Sequence, residues 1–369
     1  MTLIKISRDE LLKPLQAVSG IIERRHTLPI LSNVLLVRSG SQISMVATDI
    51  EIEITASAAA EQTTEEKAIT VGARKLLDIL RALPDASEVS LVLQDKRLQL
   101  KSGKSRFNLQ TLPAEDFPRL SVPSDASSSL SMPQKFLKSM INLVQYAMAQ
   151  QDIRYYLNGM LMVLDGSKLT LVATDGHRLG YVSRELEGGS YPRREVILPR
   201  KTIIELSKLL ADSEDPISLD LSANQARFSF GGISLISKLV DGKFPDYTRV
   251  IPQDQPKHLR LNRLEILSSL QRAAILTSDK FRGVRWVLSS GSLKIISTNT
   301  EQEEAQEEID VAYKGETLDV GFNVGYLLDV LNNLDVEEID CGLGDANSSA
   351  LITVPGKEDF KYVVMPMRI

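Results

Sequence analysis

Apolar residues recur at helical spacing in six stretches of the chain, and each stretch is followed by a run in which apolar and polar residues alternate. In the first stretch the apolar positions are Leu11, Leu12, Leu15 and Val18. Such spacing places the apolar side chains on one face of a helix, whereas alternation is typical of a half-buried strand. Helices are therefore predicted at residues 7–20, 73–83, 134–149, 199–210, 262–276 and 322–334.

The first predicted helix carries two further signals. Ser7 and Glu10 have the spacing of a capping box, in which each side chain satisfies a backbone group of the first turn. Pro14 lies inside the pattern and lacks the backbone N–H that a helix interior needs. It therefore predicts either a kink or a later start of the helix.

The alternating runs repeat at long range. The sequence "VATD" occurs at 46–49 and at 172–175, and "ISTN" follows at 296–299, so that the starts are 126 and 124 residues apart. Each copy ends a longer run with a glycine-containing hairpin signal: "NVLLVRSGSQISMVATD", "GMLMVLDGSKLTLVATD" and "GVRWVLSSGSLKIISTN". Self-similarity at such a long period predicts repeated structural modules.

The repeats predict an α+β chain of three similar domains, each built from two halves that contain one helix and several strands. Stretches rich in Pro and Ser at 122–133 and 250–258 are typical of linkers. A length of 369 residues also exceeds what one core usually organises. The predicted domains are residues 1–125, 126–252 and 253–369.

Composition excludes several functional classes. The chain is 43% apolar and 25% charged, and it has neither a secretory signal nor a long apolar stretch of membrane-spanning type. Cys341 is the single cysteine, which fits a reducing cytoplasm. His26, His177 and His258 lie far apart. The sequence therefore predicts no metal site and no cofactor.

Charge is distributed unevenly between helices and strands. The six predicted helices contain twelve basic and six acidic residues, so they have a net charge of +6 within a chain of net charge −5. One interpretation is that helix surfaces simply favour Lys and Arg. The other is that the helices share one side of the molecule and present it to a polyanion, while the remaining charge of −11 repels it elsewhere.

Two segments resemble catalytic motifs without meeting their requirements. In "TDGHR" (174–178), Asp175 and His177 could serve a hydrolase, but the same position carries Asp49 and Asn299 in the other repeats. A capped turn after a strand explains this recurrence better than chemistry does. In "SGKSRF" (102–107), Leu98 stands where a phosphate loop requires its first glycine. The prediction is that the protein is not an enzyme, with the Asp175–His177 hydrolase kept as an alternative.

Several longer segments resemble one bacterial family, the beta subunit of DNA polymerase III or sliding clamp. These segments are "LLKPLQAVSG", "RHTLPIL", "TLPAEDFP", "QDIRYYLNGM", "VATDGHRL", "PRK", "SKLVDGKFPDY", "KFRGVRW", "EQEEAQEEI", "GFNVGYLLDVL" and "YVVMPMRI". The resemblance covers the chain from its first helix to its last residue.

The resemblance implies a DNA-clamp fold in which two chains close head to tail into a homodimeric ring with helices lining the hole. It implies a processivity factor that encircles duplex DNA independently of sequence and tethers the polymerase. Further partners would be the polymerase alpha subunit, the clamp loader, other polymerases and repair proteins, each bound through a short linear peptide. The alternative is a repeat-built scaffold for protein interactions that does not encircle DNA.

The resemblance also assigns residues to DNA contact. They are Arg25, Gln151, Tyr155 and Tyr156, to which the basic helix residues Arg74, Lys138, Arg200 and Lys201 are added. For the two tyrosines, packing at a domain boundary is an equally good explanation.

A subunit interface is implied between a basic loop of the first domain and the acidic run "EQEEAQEE" (301–308) of the third. Its residues would be Lys75, Lys104, Arg106, Ile275, Leu276, Glu301, Glu303, Glu304 and Glu307. A charge run is more often a solvated surface, which is the competing explanation.

A peptide-binding pocket near the C-terminus is the third implied site. Its residues would be Leu157, Thr174, Gly176, His177, Arg178, Leu179, Pro245, Arg249, Val250, Asn323, Tyr326, Ser349, Val363, Met365, Pro366, Met367 and Arg368. Methionine side chains suit a surface that accepts several ligands. The alternative for "VVMPMR" is a last edge strand.

Overall fold

The computed structural model describes residues 2–22, 28–94, 96–122, 128–278 and 282–369. Within these residues the helices are α1 (Arg8–Ser19), α2 (Ala73–Ala82), α3 (Gln134–Val144), α4 (Arg200–Leu209), α5 (Arg263–Ala274) and α6 (Val324–Asn333). Each lies where the apolar periodicity predicts a helix.

Strands make up most of the remaining chain. Those of the first module are β1 (Thr2–Ser7), β2 (Asn33–Ser39), β3 (Gln42–Thr48), β4 (Ile52–Ala59), β5 (Lys67–Gly72), β6 (Glu88–Gln94), β7 (Arg97–Ser102) and β8 (Ser105–Leu112). The second module has β9 (Ser128–Pro133), β10 (Gly159–Gly166), β11 (Lys168–Thr174), β12 (Arg178–Glu185), β13 (Tyr191–Pro199), β14 (Pro216–Leu221), β15 (Gln225–Phe230) and β16 (Ile233–Lys238). The third has β17 (Lys257–Asn262), β18 (Gly283–Ser289), β19 (Ser292–Thr298), β20 (Glu304–Asp310), β21 (Leu318–Asn323), β22 (Glu338–Leu343), β23 (Ala350–Val354) and β24 (Lys357–Val364).

Helix α1 begins where its cap predicts. The Ser7 side chain accepts a hydrogen bond from the Asp9 backbone N–H, and the helix continues through Pro14. The later start that the proline suggested is therefore wrong. The lost hydrogen bond is tolerated because Pro14 itself and its apolar neighbours on the same face are buried.

Two sequence-based limits need correction. Helix α3 ends at Val144 instead of continuing to 149, because the backbone N–H of Ala149 donates to the carbonyl of Leu157 and the chain leaves the helical path. The linker predicted at 122–133 is a strand from Ser128 onward, since β9 pairs with β14 along its whole length.

The strands form antiparallel groups of four, and each module contributes two groups. The first module gives β1–β6–β7–β8 and β5–β2–β3–β4 in spatial order, the second gives β9–β14–β15–β16 and β13–β10–β11–β12, and the third gives β17–β22–β23–β24 and β21–β18–β19–β20. The repeated half-module of the sequence thus corresponds to one helix with one four-stranded group.

Groups from consecutive modules join into larger sheets. Strand β16 pairs with β4, with Ile233 opposite Ala56 and Ser237 opposite Ile52. Strand β24 pairs with β12 in the same antiparallel manner. The two groups of the first module also join, because β8 pairs with β5 at Thr111 and Leu112. The result is a 12-stranded sheet, an eight-stranded sheet and a four-stranded sheet.

The chain folds as two compact units whose limits differ from the repeat limits. Unit 1 comprises residues 1–136 and 204–239 and contains the 12-stranded sheet, while unit 2 comprises residues 137–203 and 240–369 and contains the other two sheets. The second module is divided between the units because each of its halves shares a sheet with a neighbouring module.

Buried apolar side chains back the sheets in both units. The largest fully buried ones include Phe228 in unit 1 and Tyr362, Phe322 and Phe360 in unit 2. Cys341 lies on β22 and is 1% exposed, and burial raises the pKa of its thiol to about 12.

A buried carboxylate ties the segment after β8 to the first sheet. Glu53 on β4 is 2% exposed, and its carboxylate accepts hydrogen bonds from the Arg119 guanidinium at 3.0–3.1 Å. The backbone N–H of Leu120 donates to the same carboxylate at 2.9 Å. These bonds compensate the cost of removing the charge of Glu53 from water.

We predict that Arg119→Ala lowers the free energy of unfolding by about 1–3 kcal/mol, because it leaves the buried Glu53 carboxylate without its counter-ion. The loss is smaller than for a fully buried ion pair, because the Arg119 side chain is half-exposed and water screens its charge. Urea unfolding followed by circular dichroism measures the change. The exposed Arg97→Ala serves as the matched control. Equal stabilities for the two variants would contradict the role assigned to this ion pair.

Candidate functional site: an apolar groove beside the C-terminus

An apolar groove of unit 2 lies beside the junction of β12 and β24. It encloses about 160 Å³ and is lined by Arg154, Leu157, Thr174, Gly176, His177, Arg178, Leu179, Phe244, Pro245, Tyr247, Val250, Val363 and Met365. Its floor belongs to a buried apolar cluster that includes Leu157, Leu179, Phe244 and Val363. The groove is therefore a depression in packed core, which suits apolar side chains of a ligand.

Ten of the residues that the sequence assigned to the peptide pocket line this groove. The structure adds Arg154, Phe244 and Tyr247, which the sequence did not single out. Phe244 and Tyr247 flank Pro245 within "KFPDY", so their proximity in sequence to an assigned residue could have identified them.

Seven assigned residues lie outside this lining: Arg249, Asn323, Tyr326, Ser349, Pro366, Met367 and Arg368. Arg249 forms an ion pair with Asp246, and Asn323 caps α6 through its side chain. Tyr326 instead supports a groove residue, because the Arg178 guanidinium lies over its ring at 4.4 Å from the centroid.

One wall of the groove is the turn between β11 and β12. The Asp175 carboxylate accepts hydrogen bonds from the backbone N–H groups of His177 (2.9 Å) and Arg178 (3.1 Å). Thr174 bonds the turn from the other side, donating to the carbonyl of Arg178 and accepting from the N–H of Gly176. The turn requires φ of +90° at Gly176, a region that glycine enters without strain.

The same turn occurs in the other repeats. Asp49 accepts from the N–H groups of Glu51 and Ile52, and Asn299 accepts from those of Glu301 and Glu303. The interpretation of this aspartate as a turn former is thus confirmed. The Asp175 carboxylate is occupied by the turn and by Arg178, which leaves it unsuited to act as a general base.

Arg178 connects this wall to α6. Its guanidinium donates to the carboxylates of Asp175 and Asp329 and to the carbonyl of Tyr146. Burial on its own would lower the pKa of Arg178, but neighbouring Tyr362 and the two carboxylates outweigh that effect and raise it. The arginine therefore stays charged, and its charge is directed away from the apolar lining.

Arg154 lines the groove beside the same turn. Its guanidinium donates to both carboxylate oxygens of Asp152 at 3.0 and 2.9 Å and to the carbonyl of Asp175 at 3.4 Å. The side-chain bond from Arg154, followed by the bond from its backbone N–H, lowers the pKa of Asp152 to about 2.

The residues assigned to DNA differ in their exposure to solvent. Arg25 lies outside the described residues. Gln151 and Tyr155 are exposed, whereas Tyr156 packs against the cluster under the groove. The packing of Tyr156 agrees with the alternative explanation, while Tyr155 is 57% exposed.

The basic helix residues of that set differ in accessibility. Arg74 on α2 and Lys138 on α3 lie at least partly in solvent, and Arg74 is 3.9 Å from Asp78. Arg200 at the start of α4 donates to the carbonyl of Met148, which holds part of its guanidinium inside the protein. Lys201 is also partly exposed.

The residues assigned to the subunit interface are mostly exposed in the single chain. Lys75, Lys104, Arg106, Glu301, Glu303 and Glu304 all have solvent-exposed side chains, and Ile275 is 76% exposed. Leu276, which was assigned with it, is half-buried. Glu307 differs from the other acids because it forms an ion pair with Arg272 of α5 within the same chain. It is therefore less available to a second subunit.

The last residues are not an edge strand. Strand β24 pairs with β12 on one side and with β23 on the other, so Val363 and Val364 belong to a sheet interior. The chain continues past β24 to Met367, which forms an antiparallel bridge with Gly321.

Over the parts of the chain that the structure describes, no three His, Cys, Asp or Glu side chains are grouped as metal ligands. Among those same residues, none of the helices is sufficiently long and apolar to cross a membrane.

Comparison with known proteins agrees with this architecture. The sequence matches the N-terminal, central and C-terminal domain models of the DNA polymerase III beta subunit over residues 2–121, 131–246 and 248–368. A relative from Pseudomonas aeruginosa named "Beta sliding clamp" is 47% identical over 99% of both chains, and one from Escherichia coli K12 is 46% identical over 99% of both.

Solved structures give the same result. The crystal structure of the DNA polymerase III subunit beta from Pseudomonas aeruginosa matches with a TM-score of 0.95 and 46% identity, covering 100% of each chain. A sliding clamp from the same organism bound to griselimycin matches with a TM-score of 0.94 and 46% identity over 99% of each chain.

Three repeated modules in this arrangement define a DNA clamp, a class of non-catalytic processivity factors. The chain belongs to the DNA polymerase III beta subunit family. Family membership favours the processivity factor over both alternatives that the sequence left open, the interaction scaffold and the hydrolase.

We predict that the carboxyl group of Asp152 titrates with a midpoint of about 2 and that Arg154→Ala moves this midpoint upward toward the ordinary value of 3.8. Because the folded-state pKa lies below the unfolded value, the stabilisation from this pair is complete above about pH 4 and is lost as pH falls toward 2. Carbon-detected NMR of the carboxyl groups measures both midpoints, with Asp246 as internal control. An unchanged Asp152 midpoint in the variant would disprove the assigned cause.

Proposed function

We propose that two copies of this protein close head to tail into a ring around duplex DNA and hold the polymerase there through the apolar groove. The main support for this proposal is the way in which consecutive modules join, which is the same at both junctions within the chain. The last strand of the second module pairs with β4 of the first, and the last strand of the third pairs with β12 of the second.

By this rule two strand edges still require partners: that of β20, and that of residues 105–110 of β8, whose last residues Thr111 and Leu112 already pair with β5. Strand β8 is the last strand of the first module and would pair with the equivalent of β4 and β12 in a preceding module, which is β20. Within the described residues, β20 pairs on one side with β19 and is an edge strand. A β8–β20 junction between two chains would continue the repeat, and a second identical junction would close it.

Charge supports this pairing. The turn before β8 and its first residues carry Lys104 and Arg106, whereas β20 carries several acids, among them Glu304 and Glu308. Exposed pairs of this kind contribute about 0–1 kcal/mol each, so they would determine register and partner choice more than strength. The exposed Ile275, which directly follows α5, would add apolar area to this interface.

A ring holds DNA by topology, so its inner surface needs weak contacts that do not depend on sequence. A modest excess of Lys and Arg on helices meets that need, because it attracts phosphates without a dense set of short contacts that would oppose sliding. We propose that the helices, including Arg74, Lys138 and Lys201, face the DNA, with Gln151 and Tyr155 close by. Arg25 is retained in this set from sequence alone.

The groove would bind the partners. Its apolar floor and methionine rim suit a short peptide with hydrophobic anchors, and the charges of Arg154 and Arg178 are already neutralised by aspartates. The griselimycin complex of the Pseudomonas aeruginosa clamp supports binding of peptide-like ligands by this family. The pocket residues outside the lining would contact the ends of longer peptides.

Two further assignments accompany this proposal. The domain limits remain those of the sequence, 1–125, 126–252 and 253–369. The working compartment would be the cytoplasm, because a clamp for the replicative polymerase acts where a bacterium keeps its chromosome.

We expect labelled protein, loaded onto nicked circular DNA by a bacterial clamp loader with ATP, to co-elute with the DNA in gel filtration and to dissociate when a restriction enzyme linearises the circle. A ring leaves through free ends, whereas a chemical binder does not. Linear DNA with streptavidin bound at both ends is the matched control and should retain the protein. Retention on open linear DNA, or no retention on circles, would refute the ring.

We also expect Lys104→Glu combined with Arg106→Glu to shift the protein from dimer toward monomer in sedimentation velocity, because the change places acids opposite acids across the proposed seam. Lys96→Glu with Arg97→Glu makes the same change of charge at the other end of β7 and should leave the dimer intact. If both double variants dimerise equally, β8 is not at the subunit interface.

A further inference from the structure

The C-terminal segment beyond β24 is attached at two points. The backbone N–H of Met365 donates to the carbonyl of His177 at 2.9 Å, and that of Met367 donates to the carbonyl of Gly321 at 2.8 Å. Pro366 lies between them and confines Met365 to extended backbone conformations. The segment thus connects the groove turn to the edge strand β21.

The second attachment has counterparts in the other modules. Gly321 stands third from the end of β21, as Thr70 does in β5 and Ile197 in β13. Thr70 pairs with Leu112, and the carbonyl of Ile197 accepts from Val240 at 2.9 Å. The bridge is therefore a repeated feature, and the third module differs by carrying a glycine.

Space explains the glycine. A Cβ atom at position 321 would lie 2.5 Å from the carbonyl oxygen of Met367 and 2.6 Å from Cδ1 of Ile369, closer than real Cβ atoms approach other atoms. Gly283 on the neighbouring strand β18 lies under the same isoleucine, with its Cβ position 3.2 Å from Cδ1. The two glycines form a seat for the last residue of the chain.

The glycine seat bears on the groove because Met365, four residues before Ile369, lines the groove. Met365 lies in the groove lining, directly after the buried Val363 and Val364, and its side chain is 40% exposed. The seat is the attachment that limits movement of Met365 from its C-terminal side.

We propose that Gly321 is a positioning residue for ligand binding: by seating Met367 and Ile369 it holds Met365 in the groove before a ligand arrives. This inference rests on the proposed function of the groove as the peptide site. Fixing a binding surface in advance increases affinity because less conformational entropy is lost on association.

The test is Gly321→Ala, with griselimycin as the probe in isothermal titration calorimetry on the full-length dimer. We expect binding about tenfold weaker than wild type, since the added Cβ displaces the tail and breaks the Met367 bond. Carbon-13 methyl NMR of the methionines should show altered, narrowed signals for Met365 and Met367. Gly72→Ala is the matched control, because a Cβ there would have its nearest neighbour, Oδ1 of Asn33, at 3.9 Å, and Gly72, like Gly321, is one of the last three residues of a strand that precedes a helix.

A second variant separates positioning from general destabilisation. Ile369→Ala keeps the backbone bridge between Met367 and Gly321 and should weaken griselimycin binding about twofold. The double variant Gly321→Ala with Ile369→Ala should bind no more weakly than Gly321→Ala alone, because both changes disturb the same seat. Unfolding midpoint and dimer mass are expected to stay at wild-type values for Ile369→Ala.

The outcomes distinguish the two proposals. If the wild-type protein does not bind griselimycin, the peptide groove fails and this inference fails with it. If wild type binds and Gly321→Ala binds equally well, the groove stands and the positioning role is overturned, whether or not the methionine signals move. Additive losses in the double variant would likewise overturn the shared seat.

Discussion

Backbone hydrogen bonding between edge strands is the constraint on which this structure depends. Each half-module is a four-stranded antiparallel group with two edges, and exposed edges tend to recruit another strand. The chain satisfies them by joining β16 to β4 and β24 to β12, so consecutive modules share sheets. The division of the second module between two compact units follows directly from this sharing.

The groove develops from one of these junctions. At the first junction Lys238 donates its N–H to the carbonyl of Glu51, and at the second Met365 donates to His177 in the equivalent way. At the first, the side chains of Lys238 and Glu51 also form an ion pair at 3.1 Å. At the second junction, Met365 and His177 stand in place of Lys238 and Glu51, and Gly176 stands in place of Ile50 at the turn. These replacements leave room for an apolar cavity. The candidate groove thus lies at a repeated structural junction and differs from its counterpart at the first junction by a few residues.

Much of this architecture could be predicted from the sequence because the responsible signals are local or periodic. Helix periodicity located all six helices, and the recurrence of Asp49, Asp175 and Asn299 identified a shared turn. The strand that begins at Ser128 was missed because a Ser-rich sequence is typical of linkers. The strand forms through pairing with β14, which is distant in the sequence and leaves no local signal. Phe244 and Tyr247 reach the groove through tertiary packing, and the Arg272–Glu307 pair joins residues 35 positions apart. Such contacts leave no periodic trace in the sequence.

The burial of Cys341 has a practical consequence for spectroscopy. A thiol must be both accessible and deprotonated to react with maleimides, and this one is neither, since it is 1% exposed and its pKa is raised to about 12. Because the sequence contains no other cysteine, a thiol introduced on the surface would be the single reactive position. One fluorophore could therefore be attached to each of two otherwise native chains, and the distance across the proposed β8–β20 junction between them followed while that junction opens.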